Sequence, residues 1–163
     1  MLKKLILIVA LPISFAACTS RSKSAVNYNN NIIAKENSLQ PDVETTENKV
    51  AKYFDAGQYD SIAIAGEYME RIVQKKIDEI NAMPLPDAKD INGFRSAVIE
   101  YFKFIKSLYT GYKQYGLAGT EEKRLQVAED IQKLVNRKQD ALDDLQSAQR
   151  KFANANGFKL EKK

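Results

Sequence analysis

The segment that most limits the fold is "FRSAVIEYFKFIKSLYTGYKQY", residues 94–115. Its large side chains recur at steps of three and four residues, which places them along one side of an α-helix. They are Phe94, Val98, Tyr101, Phe102, Ile105, Leu108, Tyr109 and Tyr112. The helix is predicted to begin near Asp90 or Asn92, either of which can cap free backbone N–H groups, and to stop at Gly116.

A second helix is predicted from about Tyr59 to Met83. Pro84 and Pro86 end it, because the residue before a proline is pushed out of helical geometry. The segment "YFDAGQYDSIAIAGEYMERI", residues 53–72, is similar to the turn and second helix of a tetratricopeptide repeat. Such repeats need about three stacked copies. Since no second copy is present, we interpret this segment as one helix–turn–helix of a bundle.

The last helix is predicted to begin after Gly119, with Thr120 as its N-cap, and to continue to about Asn154. Glu121 and Glu122 then lie at the positive end of its dipole. Its apolar positions alternate steps of roughly three and four, as in a bundle seam. They are Val127, Ile131, Leu134, Ala141, Leu145, Ala148 and Phe152.

The first helical region is interrupted by a proline. Its apolar residues keep a helical period from Val26 to Phe54, with Pro41 in the middle. A proline inside a helix removes one backbone donor and clashes with the preceding turn. Either the helix bends or two shorter helices meet, and we favour a bend because the apolar stripe stays in phase. Gly57 closes this region.

The predicted fold is therefore all-α: an up-down-up-down four-helix bundle over residues 26–158, with a tail at 159–163, since no segment alternates as strands do. Three polar residues fall in phase with the apolar stripes. They are Asn29, Glu36 and Lys138. We expect them to form a buried cluster that fixes the helix register, although Lys138 can also reach solvent.

The amino terminus has the layout of a secretory signal peptide, predicted at residues 1–17. Lys3 and Lys4 precede an apolar stretch that is too short for a bilayer span, which needs about 18 residues. The sequence Phe15-Ala16-Ala17-Cys18 resembles the bacterial lipobox. This resemblance implies that Cys18 is diacylated on sulfur and becomes the new, acylated amino terminus, with the membrane as its partner. Residues 18–25 are then the lipidated cysteine and a flexible tether.

The composition argues against most catalytic chemistry. The chain has no histidine and one cysteine, so it lacks the usual general base and common metal ligands. We therefore predict no catalytic residues, no metal site and no cofactor. The carboxylates considered for a glycan hydrolase are Glu67, Glu70, Glu100, Asp143 and Asp144. Their pattern is typical of solvated helix faces.

The distribution of charge argues against nucleic-acid binding, and the spacing of glycines argues against a phosphate-binding loop. Loss of Lys3 and Lys4 with the signal leaves 23 basic against 21 acidic side chains, a net charge of +2. The two signs are interspersed, whereas nucleic-acid binding needs a clustered basic face.

Gly111, Gly116 and Gly119 follow no strand and do not form a phosphate loop. We interpret them as loosening and ending a helix.

The aromatic residues are the remaining candidates for binding. Most are expected in the core, but Tyr112 and Tyr115 lie near the end of the third helix and are the predicted binding residues. They lead to an alternative function, that of a helical adaptor gripping a peptide or protein segment in an aromatic groove.

Three segments carry a family resemblance: "NYNNNII", "INGFRSAVIEYFKFIKSLY" and "AQRKFANANGFKL". They resemble uncharacterised bacterial surface lipoproteins of spirochaetes and Bacteroidetes that contain a helical-bundle domain. The resemblance implies an outer-membrane lipoprotein and supplies no activity or site. The expected function is a non-catalytic binding or structural role in the cell envelope, at the periplasmic face or the cell surface.

Overall fold

The computed structural model describes residues 13–14 and 20–160. Six helices follow one another in this part of the chain: α1 (Ser20–Asn37), α2 (Gln40–Asp55), α3 (Tyr59–Ala82), α4 (Ile91–Leu117), α5 (Glu121–Asn136) and α6 (Lys138–Ala155). The pair α1 and α2 forms one long bent helix, and α5 and α6 form another. The predicted all-α, up-down-up-down four-helix bundle is thus confirmed.

A pair of two-residue strands joins the ends of the described chain. β1 (Ile13–Ser14) runs antiparallel to β2 (Lys159–Leu160), with Ile13 opposite Leu160. No sequence pattern predicted this pairing, and residues 159–160 of the predicted tail at 159–163 form a strand. A ladder this short adds no layer to the helical core.

The predicted bend near Pro41 is confirmed and is formed by a two-residue turn at 38–39. Pro41 is the second residue of α2, where the first-turn N–H groups have no helical partner and a missing donor costs little. Leu39 is fully buried inside the bend. The apolar stripe therefore continues across the break.

The last helix covers its predicted range but is bent. Thr120 is the N-cap, as expected, and its hydroxyl accepts a hydrogen bond from the Lys123 backbone N–H at 3.3 Å. The bend, which was not predicted, lies where α5 ends at Asn136 and α6 begins at Lys138, and the helix ends at Ala155, one residue past the predicted Asn154. Arg137, between them, has φ −88° and ψ 0°, which leaves the α-helical region.

The predicted tether over residues 18–25 is also wrong from residue 20 onward. Helix α1 begins at Ser20, and the side chains of Ser22 and Ala25 are buried in the bundle. A serine-rich composition is typical of linkers, but small side chains also suit the close contacts of a buried helix face. Residues 18 and 19 lie outside the described part of the chain.

An aromatic cluster fills the core where α1, α4 and α6 meet. The rings of Phe94 and Phe152 stack with centroids 4.8 Å apart. Tyr28 meets both rings edge-on, at 6.3 and 6.5 Å. Aromatic pairs in these arrangements add stability beyond the area they bury. This cluster joins the first, third and fourth segments of the bundle.

Helices α3 and α4 approach each other most closely through two glycines. Gly66 of α3 faces the α4 backbone at Tyr109 and Lys113, and Gly116 of α4 faces the α3 backbone at Tyr59 and Ala63. A side chain at either position would occupy space already filled by backbone atoms. Gly116 is therefore a packing residue, and α4 continues one residue past it.

The two ends of the bundle are built differently. At the end where α1 begins, the Asn156 amide accepts a hydrogen bond from the Lys89 N–H and donates one to the Lys89 carbonyl, both at 2.9 Å. It thereby holds the connector between α3 and α4 against α6. Asp90 precedes α4 but does not cap it through its side chain, and its carboxylate instead pairs with Lys151 at 3.0 Å. The opposite end carries the α2–α3 turn and the loop at 118–120.

Candidate functional site

Tyr112, one of the two predicted binding residues, is a core residue. Its side chain is only 2% exposed. Its hydroxyl donates a hydrogen bond to Glu47 Oε2 at 3.1 Å. The prediction that Tyr112 presents a binding surface is therefore wrong for this structure.

Glu47 is the centre of a polar cluster that the sequence analysis did not identify. Burial raises the pKa of Glu47, although the hydrogen bond from Tyr112 and the charge of Lys138 favour its ionised form. Burial likewise raises the pKa of Tyr109 and Tyr112, and the Glu47 charge raises both further. Glu47 Oε1 and the Tyr109 hydroxyl are buried without a hydrogen bond of good geometry to any described residue, but the two side chains still interact, which lowers the pKa of Glu47 and raises that of Tyr109. The Glu47 carboxyl group is therefore held between two buried tyrosines.

Tyr115, the other predicted binding residue, is half-buried at the end opposite the start of α1. Its ring lies 4.8 Å from the Phe54 ring and 6.0 Å from the Tyr59 ring. The Arg124 guanidinium sits 4.2 Å above the Tyr59 ring and also donates to the Ala118 carbonyl at 2.7 Å. The rings pack against one another, so they close this end of the bundle rather than lining an open groove.

Large apolar side chains are exposed on the end segments of α3, α4 and α5 that meet at this end of the bundle. Leu117 is 67% exposed at the end of α4. Leu125 on α5 and Ile64 on α3 are also exposed. Single exposed apolar residues are ordinary on protein surfaces, and several at one end of a bundle are typical of a contact surface.

The polar residues predicted to form one buried cluster instead make three separate interactions. Asn29 is fully buried and accepts a hydrogen bond from Gln149 at 2.8 Å. Glu36 is buried, and its charge raises the pKa of Tyr101 in addition to the effect of burial. The positive charge of Lys138 lowers the pKa of Glu47, and burial lowers the pKa of Lys138 itself. The predicted burial of Asn29 and Glu36 is confirmed, but a single cluster is not formed.

The carboxylates considered for hydrolysis are engaged with nearby side chains. Glu70 accepts hydrogen bonds from Thr110 at 2.5 Å and Lys113 at 3.1 Å. Burial raises its pKa, but these partners outweigh that effect and hold the pKa below its usual value. Four exposed acidic residues complete this set. Glu67 pairs with Arg71, Glu100 pairs with Lys103, Asp143 accepts from Gln139, and Asp144 is exposed beside it.

Surface grooves lie between neighbouring helices. One, of about 380 Å³, runs between α1 and α3 and contains Lys35, Lys76 and Glu79. Glu79 lies 2.8 Å from the Lys35 ammonium and 3.7 Å from that of Lys76, so these charges largely compensate one another. A smaller groove, of about 130 Å³, lies between α4 and α5 beside Gly111.

Between residues 20 and 160, none of the helices combines the length and apolar character needed to cross a bilayer. In the same region, no three side chains of the metal-binding types come together. Cys18, the predicted lipidation residue, lies outside the described part of the chain.

Comparisons with known proteins give no relative for this chain. No protein-family model matches it, and neither a curated protein nor a solved structure shows significant similarity.

Proposed function

We propose that this chain is a lipid-anchored protein of the bacterial cell envelope whose helical bundle has a non-catalytic binding or structural role. The observation that carries the proposal is the sequence Phe15-Ala16-Ala17-Cys18 after a short apolar stretch. An acyl chain contributes about 0.8 kcal/mol per buried methylene, and stable anchoring takes two or more chains. A cysteine with three chains would attach the bundle permanently.

The start of the bundle suits such an anchor. Helix α1 begins at Ser20, only two residues after Cys18. Cleavage before Cys18 would remove β1 and leave the six helices complete. The attached bundle would then stand at the outer membrane, on its periplasmic face or at the cell surface.

Replacing Cys18 with alanine tests the anchor. We expect the wild-type protein to incorporate labelled palmitate and to stay with the membranes after a carbonate wash. Cys18→Ala should take up no label, because the acceptor thiol is absent. The neighbouring substitution Thr19→Ala keeps the thiol and should behave as wild type. Equal palmitate labelling, or absence of label, in wild type and Cys18→Ala would refute the proposed lipidation.

A second candidate is the helical adaptor, for which we propose a contact surface of exposed apolar side chains on α3, α4 and α5 instead of the buried Tyr112. Its supporting observation is the exposure of Leu117, Leu125 and Ile64 at one end of the bundle. An adaptor should give a discrete adduct when a photo-crosslinking amino acid replaces Leu117 in cells. The same group at exposed Asp143 on α6 should give none. A purely structural role predicts no adduct specific to position 117.

The glycan hydrolase is not proposed. Its candidate carboxylates lie on helix faces, where most bond to neighbouring side chains, and Glu70 is held ionised by Thr110 and Lys113. A hydrolase needs one carboxyl group with a raised pKa facing a second carboxylate across a substrate cleft.

A further inference from the structure

The two ends of the bundle differ in charge. The end where α1 begins comprises residues 20–26, 77–95 and 150–160, and we call it the basic end. It carries seven cationic and four acidic residues, a net charge of +3. They are Arg21, Lys23, Lys89, Arg95, Arg150, Lys151 and Lys159, with Asp78, Glu79, Asp87 and Asp90. Residues 50–62 and 112–126 at the opposite end carry four of each sign.

Three of the four acidic residues of the basic end are in ion pairs, and the fourth, Asp78, accepts a hydrogen bond from Gln74 at 2.8 Å. Arg21 lies 3.0 Å from Asp87, Lys151 lies 3.0 Å from Asp90, and Lys35 lies 2.8 Å from Glu79. The ammonium groups of three exposed lysines form no ion pair with the described residues. They are Lys23, Lys89 and Lys159, from α1, the α3–α4 connector and β2. Three separate segments of the chain therefore bring uncompensated positive charge to one end.

An exposed apolar side chain accompanies these cations. Leu85 lies in the α3–α4 connector between Pro84 and Pro86 and is 43% exposed. Cationic residues around an exposed leucine are typical of surfaces that rest on a lipid headgroup layer. This combination favours a membrane surface over a soluble acidic partner.

The anchor would bring this end to the membrane. Two extended residues span about 7 Å, which is the reach from Ser20 to Cys18. Charges act over a Debye length of about 8 Å at physiological salt. A bundle held at Cys18 would thus keep its basic end within range of the headgroups.

We propose that the basic end binds the phosphate groups of anionic phospholipids. This inference rests on the proposed lipid anchor and adds a second, electrostatic attachment. It orients the bundle so that the opposite end, where Phe54, Tyr59 and Tyr115 pack together, points away from the membrane. A lysine near an anionic membrane surface contributes about 1 kcal/mol, so the three unpaired lysines should strengthen binding by roughly 100-fold.

The experiment uses full-length protein carrying Cys18→Ala, so that no acyl chain contributes. Lipid titrations compare vesicles of phosphatidylglycerol and phosphatidylcholine with vesicles of phosphatidylcholine alone. The measured quantity is the partition coefficient on the phosphatidylglycerol-containing vesicles divided by the partition coefficient on phosphatidylcholine vesicles. Any apolar contribution that is common to both surfaces cancels in this ratio. In this background, K23Q/K89Q/K159Q should lower the ratio roughly 100-fold at low salt.

A matched triple variant removes the same charge elsewhere. K49Q/K52Q/K123Q changes three exposed lysines on α2 and α5 and should alter the ratio less than twofold. Glycerol phosphate at equal ionic strength should not displace the parent protein, since a free phosphate lacks the multivalent surface. The proposal is overturned by a ratio near one for the parent, by equal losses in both triple variants, or by displacement with glycerol phosphate. None of these outcomes depends on palmitate labelling, so failure of the anchor and failure of this surface are distinguishable.

Discussion

Replacing Gly66 with alanine is expected to destabilise the bundle by about 2 to 3 kcal/mol. A Cβ atom at this position would lie 2.5 Å from the Lys113 backbone nitrogen and 2.7 Å from the Tyr109 carbonyl oxygen. Backbone atoms cannot move aside by a change of rotamer, so α3 and α4 must separate. This cost exceeds the roughly 1 kcal/mol that alanine gains over glycine in a helix interior. Urea unfolding followed by circular dichroism measures the loss.

The same interface contains Gly116, whose Cβ would meet the α3 backbone at Tyr59 and Ala63. Gly116→Ala should cause a similar loss, and the double variant should lose less than the sum, because the first substitution already separates the helices. Gly119→Ala is the control, since nothing lies within 4 Å of its added Cβ. Stability unchanged or increased in Gly66→Ala would show that α3 and α4 do not need this close approach.

Helix positions were predictable where the sequence contains both a period and a stop signal. Pro84 and Pro86 place the end of the second predicted helix within one residue of the observed end of α3, Ala82. The break at Arg137 was not predictable, because neither glycine nor proline marks it and the apolar period continues on both sides. Both α5 and α6 pack against α4, and local sequence does not report such contacts.

The errors at the binding residues have a physical cause. Tyr112 belongs to the same apolar stripe that predicted α4, and a side chain on the buried stripe cannot also serve as a surface ring. Glu47 was identifiable by the same reasoning, since it lies four residues after Val43 and three before Val50, both buried. A polar residue that falls in phase with an apolar stripe therefore predicts a buried polar side chain, even in a segment that a proline interrupts. The close approach at Gly66 required the positions of two helices and had no local signal.

The stability of the bundle should fall as the pH rises from 5 to 8, because of Glu36. This side chain is 6% exposed, and its Oε1 has no hydrogen-bond partner among the described residues. Burial raises the pKa of Glu36 to about 7 from an ordinary value of 4.5. Between the unfolded-state pKa of 4.5 and the folded-state pKa of about 7, the folded state binds more protons than the unfolded state. The free energy of unfolding therefore decreases as the pH rises through this range. Glu47, whose pKa burial also raises, acts in the same direction.

Each unit of pKa difference corresponds to about 1.4 kcal/mol, so ionising Glu36 should cost roughly 2 to 3 kcal/mol over this range. Glu36→Gln cannot ionise and should flatten most of the pH dependence, making the variant more stable than wild type at pH 8. Glu44→Gln, at an exposed position of α2, should leave the wild-type slope unchanged. Urea unfolding of the three proteins at pH 5, 6.5 and 8 measures these slopes. If Glu36→Gln kept the full wild-type change of unfolding free energy with pH, another buried group would be responsible for it. Glu47→Gln would then be the variant expected to remove that pH dependence.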